Sequence, residues 1–75
     1  KTAIYPNPSK GLINFKGEIL NEKLNVRVTS LTGKVVFENH YEANFLKINS
    51  LDLSNLPAGI YLVQLGETVL KYQQL

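Results

Sequence analysis

The amino-acid sequence predicts an all-β domain folded as an antiparallel β-sandwich. Three observations support this fold class: about seven short β-prone segments, turn signals every eight to twelve residues, and no helical periodicity of useful length. We therefore predict no helix anywhere in the chain. A small five-strand barrel remains the alternative, because hairpin content alone does not separate the two architectures.

Length, charge and composition limit the classes of protein to which this chain can belong. Seventy-five residues make a single domain, residues 1–75, near the small end of what folds unaided. A net charge of +2, from scattered cations, does not favour a nucleic-acid partner or an anionic membrane surface. The chain has no cysteine, which excludes disulfides, thiolate zinc sites and thiol nucleophiles. No apolar run reaches the ~20 residues that span a bilayer, so we expect no direct membrane insertion.

The first part of the chain predicts two strands around a rigid turn. Residues 2–5 are predicted to form a short edge strand. Pro6 and Pro8 end this strand, and Gly11 lets the chain leave the turn that follows. Residues 12–16 resume as a strand. The polar connection that follows contains an apolar pair, residues 19–20, which the pattern does not assign. Because the chain begins with Lys1 rather than Met, we expect it to be a piece of a longer protein.

Two hairpins are predicted from alternation and turn residues. In residues 24–30, Leu24, Val26 and Val28 share one face, and Gly33 is placed for a turn with positive φ. The predicted hairpins are 24–30/34–41 and 59–65/68–74.

The connection between the hairpins leads to a central strand. Residues 42–44 are predicted as a loop, and residues 45–49 lead into a short strand in which Leu51 and Leu53 alternate with polar residues. Residues 55–59 break that pattern at Pro57 and Gly59. The apolar run at residues 60–63 is predicted as a central strand buried on both faces.

The sequence does not favour catalysis. His40 is the only histidine and Asp52 the only aspartate, and no serine lies in a nucleophile-elbow pattern. We expect His40 to face solvent on a hairpin strand. The carboxylates are dispersed and the glycines are single turn residues, so no metal cage, paired-acid site or phosphate-binding loop is indicated. The seven aromatic residues are spread over the strands, which favours packing over an exposed platform. We predict a non-enzyme without a cofactor.

Three sequence blocks resemble a known family in their order and spacing. The opening block, YPNPSKG at residues 5–11, is similar to that family's YPNP-x-x-G pattern. The middle block, VTSLTGKVV at residues 28–36, is similar to its central hairpin. The late block, LSNLPAGIYLV at residues 53–63, is similar to its LPAGIYLV pattern. The chain thus resembles the C-terminal sorting domain of proteins exported by the type IX (Por) secretion system of Bacteroidetes bacteria.

The resemblance implies a seven-stranded immunoglobulin-like sandwich with no catalytic role. Such a domain follows an N-terminal cargo that crosses the periplasm, and it directs the cargo through the outer-membrane translocon of a Gram-negative bacterium to the medium or cell surface. In many members a surface sortase then removes the domain and joins the cargo to an anionic lipopolysaccharide. The family usually ends in a basic-apolar tail, whereas this chain ends in KYQQL, with Lys71 as the candidate basic position.

Recognition by the secretion machinery is expected to use the turn blocks, because rigid turns present a surface at low entropic cost. The alternative is that each of these residues only makes a turn that the fold needs. Strand addition at the edge of the first or last strand is a second possible mode. Two other functions stay open: a carbohydrate-binding sandwich and a passive stalk module of a secreted enzyme. The candidate recognition residues are Pro6, Asn7, Pro8, Gly11, Gly33, Leu56, Pro57, Gly59, Tyr61 and Lys71.

Overall fold

The structure, a computed structural model, describes residues 2–17 and 23–75, apart from the side chains of Ala43, Lys47 and Ile48. The apolar pair at residues 19–20, which the sequence pattern does not assign, lies outside the described residues. The described elements are seven strands and one helix: β1 (Ala3–Tyr5), β2 (Leu12–Lys16), β3 (Lys23–Ser30), β4 (Val35–Glu42), α1 (Ala43–Ile48), β5 (Leu51–Asp52), β6 (Gly59–Leu65) and β7 (Thr68–Gln74).

The strands form two antiparallel sheets. The smaller sheet has the order β1-β2-β5, and the larger has the order β4-β3-β6-β7. Both sheets contribute to one apolar core, with Ile13 and Phe15 from the smaller sheet and Val26, Val28 and Val63 from the larger. The described strands therefore make the predicted sandwich of seven strands rather than the alternative five-strand barrel.

The alternation predicted for β3 is confirmed. Leu24, Val26 and Val28 are buried, while Asn25 and Arg27 between them are half-buried on the outer face. A strand with one face in the core buries every second side chain, and burial of each such residue stabilises the fold by about 1.5–3 kcal/mol.

Both predicted hairpins are confirmed. β3 pairs with β4, and β6 pairs with β7 over residues 59–65 and 68–74 as predicted. In the first hairpin Val28 lies opposite Phe37 and Thr29 opposite Val35, so Val36 is the extra residue of a bulge.

The prediction that residues 60–63 are buried on both faces is wrong. β6 is central, between β3 and β7, but only Tyr61 and Val63 are buried; Ile60 is half-buried and Leu62 is 38% exposed. The outer face of the larger sheet has no covering layer among the described residues, so its side chains meet solvent even on an interior strand.

The prediction that the chain contains no helix is also wrong. Residues 43–48, predicted as the end of a loop and the lead into a strand, form α1, which packs between β2 and β4. Leu46 enters the core with 1% exposure, and the Phe45 ring stacks on Tyr41 at 5.3 Å between ring centroids. The Asn49 backbone N–H donates to the Phe45 carbonyl and ends the helix. Periodicity does not separate a helix this short from a strand.

Candidate recognition surface

The opening block lies along the outer edge of β7. The Asn7 side chain makes two bonds to that strand: Nδ2 donates to the Lys71 carbonyl at 2.8 Å, and Oδ1 accepts from the Gln73 backbone N–H at 3.0 Å. The peptide bonds before Pro6 and Pro8 are both cis. Asn7 was predicted as a recognition residue, and the structure gives it a structural contact across 66 positions of sequence.

Ser9 continues this pairing, although sequence reasoning did not select it as a recognition residue. Its backbone N–H donates to the Gln73 carbonyl at 3.1 Å, and its carbonyl accepts from the Leu75 N–H at 2.8 Å, which makes a parallel bridge beside Gln74. The Ser9 hydroxyl donates to the Leu12 carbonyl and accepts from the Gly11 N–H. A serine between Pro8 and Gly11 is a signal for such a local side-chain turn.

Gly11 joins the opening block to the late block. Its φ is +140°, and a Cβ atom built on it would lie 2.5 Å from the Cα of Ser54. Its carbonyl accepts from the Leu53 N–H at 2.7 Å. Because both the backbone angle and the close approach exclude a side chain, glycine is required here for structural reasons.

Gln74 connects the late block to β7, and it was also missed from sequence. It is only 3% exposed, and its Nε2 donates to the carbonyls of Leu53 at 2.7 Å and Leu56 at 3.0 Å. Its Oε1 accepts from the Tyr72 hydroxyl at 2.6 Å. Alternation along β7 places Gln74 on the buried face with Tyr72, and this was the available signal.

The late block is stabilised by a hydrogen bond from its own buried tyrosine, Tyr61. The buried Tyr61 donates its hydroxyl to the Pro57 carbonyl at 2.6 Å, while the Pro57 side chain is exposed. Leu56 is half-buried against the core. Gly59 begins β6 with a φ of +154°, and no heavy atom lies within 4 Å of its Cβ position.

The turn of the middle block lies at the end of the larger sheet where β6 begins and β7 ends. The Ser30 N–H donates to the Lys34 carbonyl at 2.8 Å, and Gly33 has the positive φ predicted for it, +90°. Register places the turn, because Ser30 at the end of β3 lies opposite Tyr61, and Gly59 lies opposite Gln74. We call this end of the sandwich the motif end, and it consists of residues 9–11, 31–34, 54–59 and 74–75.

The chain enters from the other end of the sandwich. Ala3 in β1 lies opposite Lys16, whereas Leu12, the first residue of β2, lies opposite Asp52 beside the motif end. β1 and the opening block therefore carry the chain along the domain towards the motif end. A segment that precedes β1 starts from the far end.

The candidate residues divide by exposure. Gly11 and Tyr61 are buried, so their contacts are with the domain itself, and Leu56 and Gly59 are half-buried. Lys71 lies opposite Leu62 on the outer face of the larger sheet, away from the motif end, and meets Asn7 only through its carbonyl. The candidates exposed to a partner are Pro6, Asn7, Pro8, Gly33, Pro57 and Lys71.

Two carboxylates are stabilised in their charged form. The Ser54 hydroxyl, followed by the Ser54 backbone N–H, lowers the pKa of Asp52. Hydrogen bonds from Asn25 and then Arg27 lower the pKa of Glu38, whose Oε2 lies 2.9 Å from the Arg27 guanidinium. Both carboxylates are exposed and therefore charged at neutral pH.

The residues that a triad would need are separated. His40 is exposed on β4 of the larger sheet, as predicted, and Asp52 lies on β5 of the smaller one. Within residues 2–17 and 23–75, no group of three His, Cys, Asp or Glu side chains is placed to hold a metal ion. The one described helix, α1, is too short to cross a bilayer.

Most aromatic side chains pack in the domain. Tyr61, Tyr72 and Phe15 are buried. The two most exposed, Tyr5 at 45% and Phe45 at 44%, lie on β1 and α1, where Lys16 covers the first and Tyr41 stacks on the second. These aromatics do not form a flat platform for sugar or base stacking.

Comparison with known proteins places the chain in a family. Residues 3–74 match the family described as the secretion system C-terminal sorting domain, which covers all three sequence blocks and nearly the whole chain. No curated protein matches the chain. Members of this family are generally non-catalytic. The chain therefore belongs to the family of C-terminal sorting domains of the type IX secretion system, whose cargo is secreted or carried to the cell surface.

Proposed function

We propose that the domain directs an N-terminal cargo from the periplasm across the outer membrane of a Gram-negative bacterium, and that the translocon binds its motif end. The observation that carries this proposal is the convergence of the three family blocks. Register places the turn with Gly33 and the start of β6 at Gly59 at the same end of the larger sheet, and a Cβ on Gly11 would lie 2.5 Å from the Ser54 Cα. A signal shared by unrelated cargoes needs a surface that the domain itself makes rigid.

The path of the chain supports the same assignment. Since the chain enters beside Lys16 and reaches the motif end only after β1, a cargo attached before β1 starts from the opposite end. The motif end then lies at the opposite end of the domain from the point where the cargo is attached. The exposed Pro57 is a candidate contact on this surface, and the exposed Pro8, directly before residues 9–11, is a candidate contact at its border. The buried Gly11 and Tyr61 are assigned a supporting role inside the domain.

A reporter export assay tests the sorting role. The domain is fused behind a signal peptide and a fluorescent protein, with and without added basic-apolar tail residues, in a type IX-competent strain and in a translocon-null strain. We expect translocon-dependent reporter in the medium or on the cell surface. Folded reporter that stays in the periplasm of the competent strain with both versions would contradict the proposal.

A matched pair of variants tests the assignment to the motif end. Pro57→Ala removes an exposed side chain there and keeps the carbonyl that accepts from Tyr61, while Thr68→Ala changes an exposed residue at the far end of β7. We expect export to fall with Pro57→Ala and to be unchanged with Thr68→Ala, at equal thermal stability. Equal export of both variants would remove Pro57 from the recognition surface.

We further propose that a surface sortase removes the domain after export and joins the cargo to an anionic lipopolysaccharide. Family membership supports this step, and the segment before β1 starts away from the motif end, where a protease would not have to displace the bound translocon. Mass spectrometry of the surface cargo from wild-type and sortase-null strains tests it. Intact cargo with the domain still attached in the wild-type strain would contradict cleavage.

A further inference from the structure

The outer edge of β7 is covered by the chain itself. β7 is the last strand of the larger sheet, and a strand in this position presents backbone N–H and C=O groups that pair readily with another chain. Four such groups are occupied by the opening block: the Lys71 carbonyl, the Gln73 N–H, the Gln73 carbonyl and the Leu75 N–H.

Asn7 covers this edge by substituting a side chain for a backbone. An asparagine amide carries a donor and an acceptor, as a peptide group does. The Asn7 amide uses one on the Lys71 carbonyl and the other on the Gln73 N–H, and the Ser9 backbone then takes over as a parallel bridge. The opening block thus stands where a fifth strand of the larger sheet would pair.

We propose that the opening block is an intramolecular cap, and that the edge it covers binds the same edge of a second copy of this chain when the block is withdrawn. This proposal is independent of the sorting role. It assigns Asn7 the function of keeping the domain monomeric.

The geometry of the covered edge favours a second copy as the partner. Gln73 presents both its N–H and its carbonyl outward, so two antiparallel β7 strands can exchange both bonds about a twofold axis at this residue. In that register the Lys71 carbonyl faces the Leu75 N–H of the other copy, and both groups are free once the cap leaves. In this register the Lys71 side chain of one copy lies opposite the Leu75 side chain of the other, so no like charges face each other directly across the pair.

Sedimentation equilibrium of the 75-residue chain and its variants tests the cap. Asn7→Ala removes both side-chain bonds to β7 and leaves the backbone unchanged. We expect the unchanged chain to be monomeric at the concentrations used and Asn7→Ala to form dimers. The dimer dissociation constant of Asn7→Ala should be at least about tenfold lower than that of the unchanged chain. Asn39→Ala is the matched control, because Asn39 is an exposed asparagine on β4 whose Oδ1 bonds only the adjacent His40 N–H.

A second variant identifies the edge that dimerises. Gln73→Pro removes the N–H at the centre of the proposed twofold pair, and this N–H points away from β6, where proline is tolerated. We expect Asn7→Ala with Gln73→Pro to be monomeric and folded by circular dichroism. In hydrogen exchange, the Gln73 backbone N–H should be protected in the unchanged chain. Its protection factor should be about tenfold lower in Asn7→Ala at concentrations dilute enough to keep that variant monomeric.

Three outcomes overturn the proposal. Asn7→Ala that is folded and monomeric at every concentration would show that Asn7 does not keep the domain monomeric. Dimers that persist with Gln73→Pro would place the interface elsewhere. A Gln73 amide that exchanges in the unchanged chain like a free amide would show that the opening block does not cover the edge.

Discussion

The two edges of the larger sheet are finished in different ways. At β7, the opening block supplies hydrogen-bond partners from the distant start of the chain. At β4, no described residue pairs with the outer edge; a bulge at Val36 and the exposed polar residues Glu38, His40 and Glu42 stand there instead. Bulges and charged side chains discourage pairing without filling the edge. The capped edge thus depends on long-range contacts, and the open edge depends on its local sequence.

The largest expected effect is on the capped side. Gly11→Ala would place a Cβ 2.5 Å from the Ser54 Cα at a φ of +140°. We expect a loss of about 3 kcal/mol or more in the free energy of unfolding, measured by urea denaturation. Gly33→Ala is the matched control, because Gly33 also has a positive φ but has open space around it, and we expect about 1–2 kcal/mol. Equal losses would show that the approach of Ser54 is not tight.

The next effect tests the buried amide behind the same edge. Gln74→Leu leaves the Leu53 and Leu56 carbonyls and the Tyr72 hydroxyl without their partner. We expect a loss of about 2–4 kcal/mol, since each buried polar group left unpaired costs about 1–3 kcal/mol. Thermal denaturation should show a drop of about 10 °C or more. The neighbouring exposed Gln73→Leu should change the midpoint little, and a drop of the same size there would contradict the assignment.

A smaller effect is expected when the protection of the open edge is removed. Replacing His40 and Glu42 by valine makes β4 apolar and β-prone while leaving its pairing with β3 intact. We expect concentration-dependent self-association by light scattering. Replacement of both residues by lysine is the control and should leave the domain monomeric. If the valine variant is also monomeric, the bulge alone protects this edge.

The smallest effect is a change in acid stability on the open side. The lowered pKa of Glu38 means that its charged form is favoured in the folded state, so its contribution is complete above about pH 4.3, the usual glutamate value, and is lost as pH falls through the lower folded value. Glu38→Gln should therefore show a flatter dependence of stability on pH below about pH 4.3. The Asp52→Asn variant is the comparison beside the motif end. An unchanged pH profile in Glu38→Gln would show that the hydrogen bonds from Asn25 and Arg27 to Glu38 do not stabilise the fold.

The sequence predicts the strands of the larger sheet better than it predicts the cap on the edge of β7. β3, β4 and their turn follow from alternation of residues 24–30 and from Gly33, because period and turn chemistry are local signals. The cap is not predictable in this way. Asn7 and Gln73 are 66 positions apart, and nothing in either segment's local pattern names the other as its partner.

The errors in the prediction have the same origin. Residues 43–48 are too few for a helical period to be distinguished, so the sequence does not predict α1, which is held by burial of Leu46 and by the stacking of Phe45 on Tyr41. Burial on both faces of β6 was inferred from an apolar run, but burial also needs a covering layer, which a strand's own sequence does not report. Gln74 lies two positions after Tyr72 in β7, so the period of two along a strand places both side chains on the buried face.

The contacts of residues 71–75 make the assembly of the motif end depend on synthesis of the chain as far as these residues. The ribosome adds these residues after all three blocks, yet Asn7 needs Lys71 and Gln73, and the late block needs Gln74 to bind the carbonyls of Leu53 and Leu56. A polypeptide truncated before Lys71 would contain the opening, middle and late blocks in its sequence without assembling them. A receptor that binds the assembled motif end would therefore discriminate chains that contain residues 71–75 from chains interrupted before them, with no separate proofreading step.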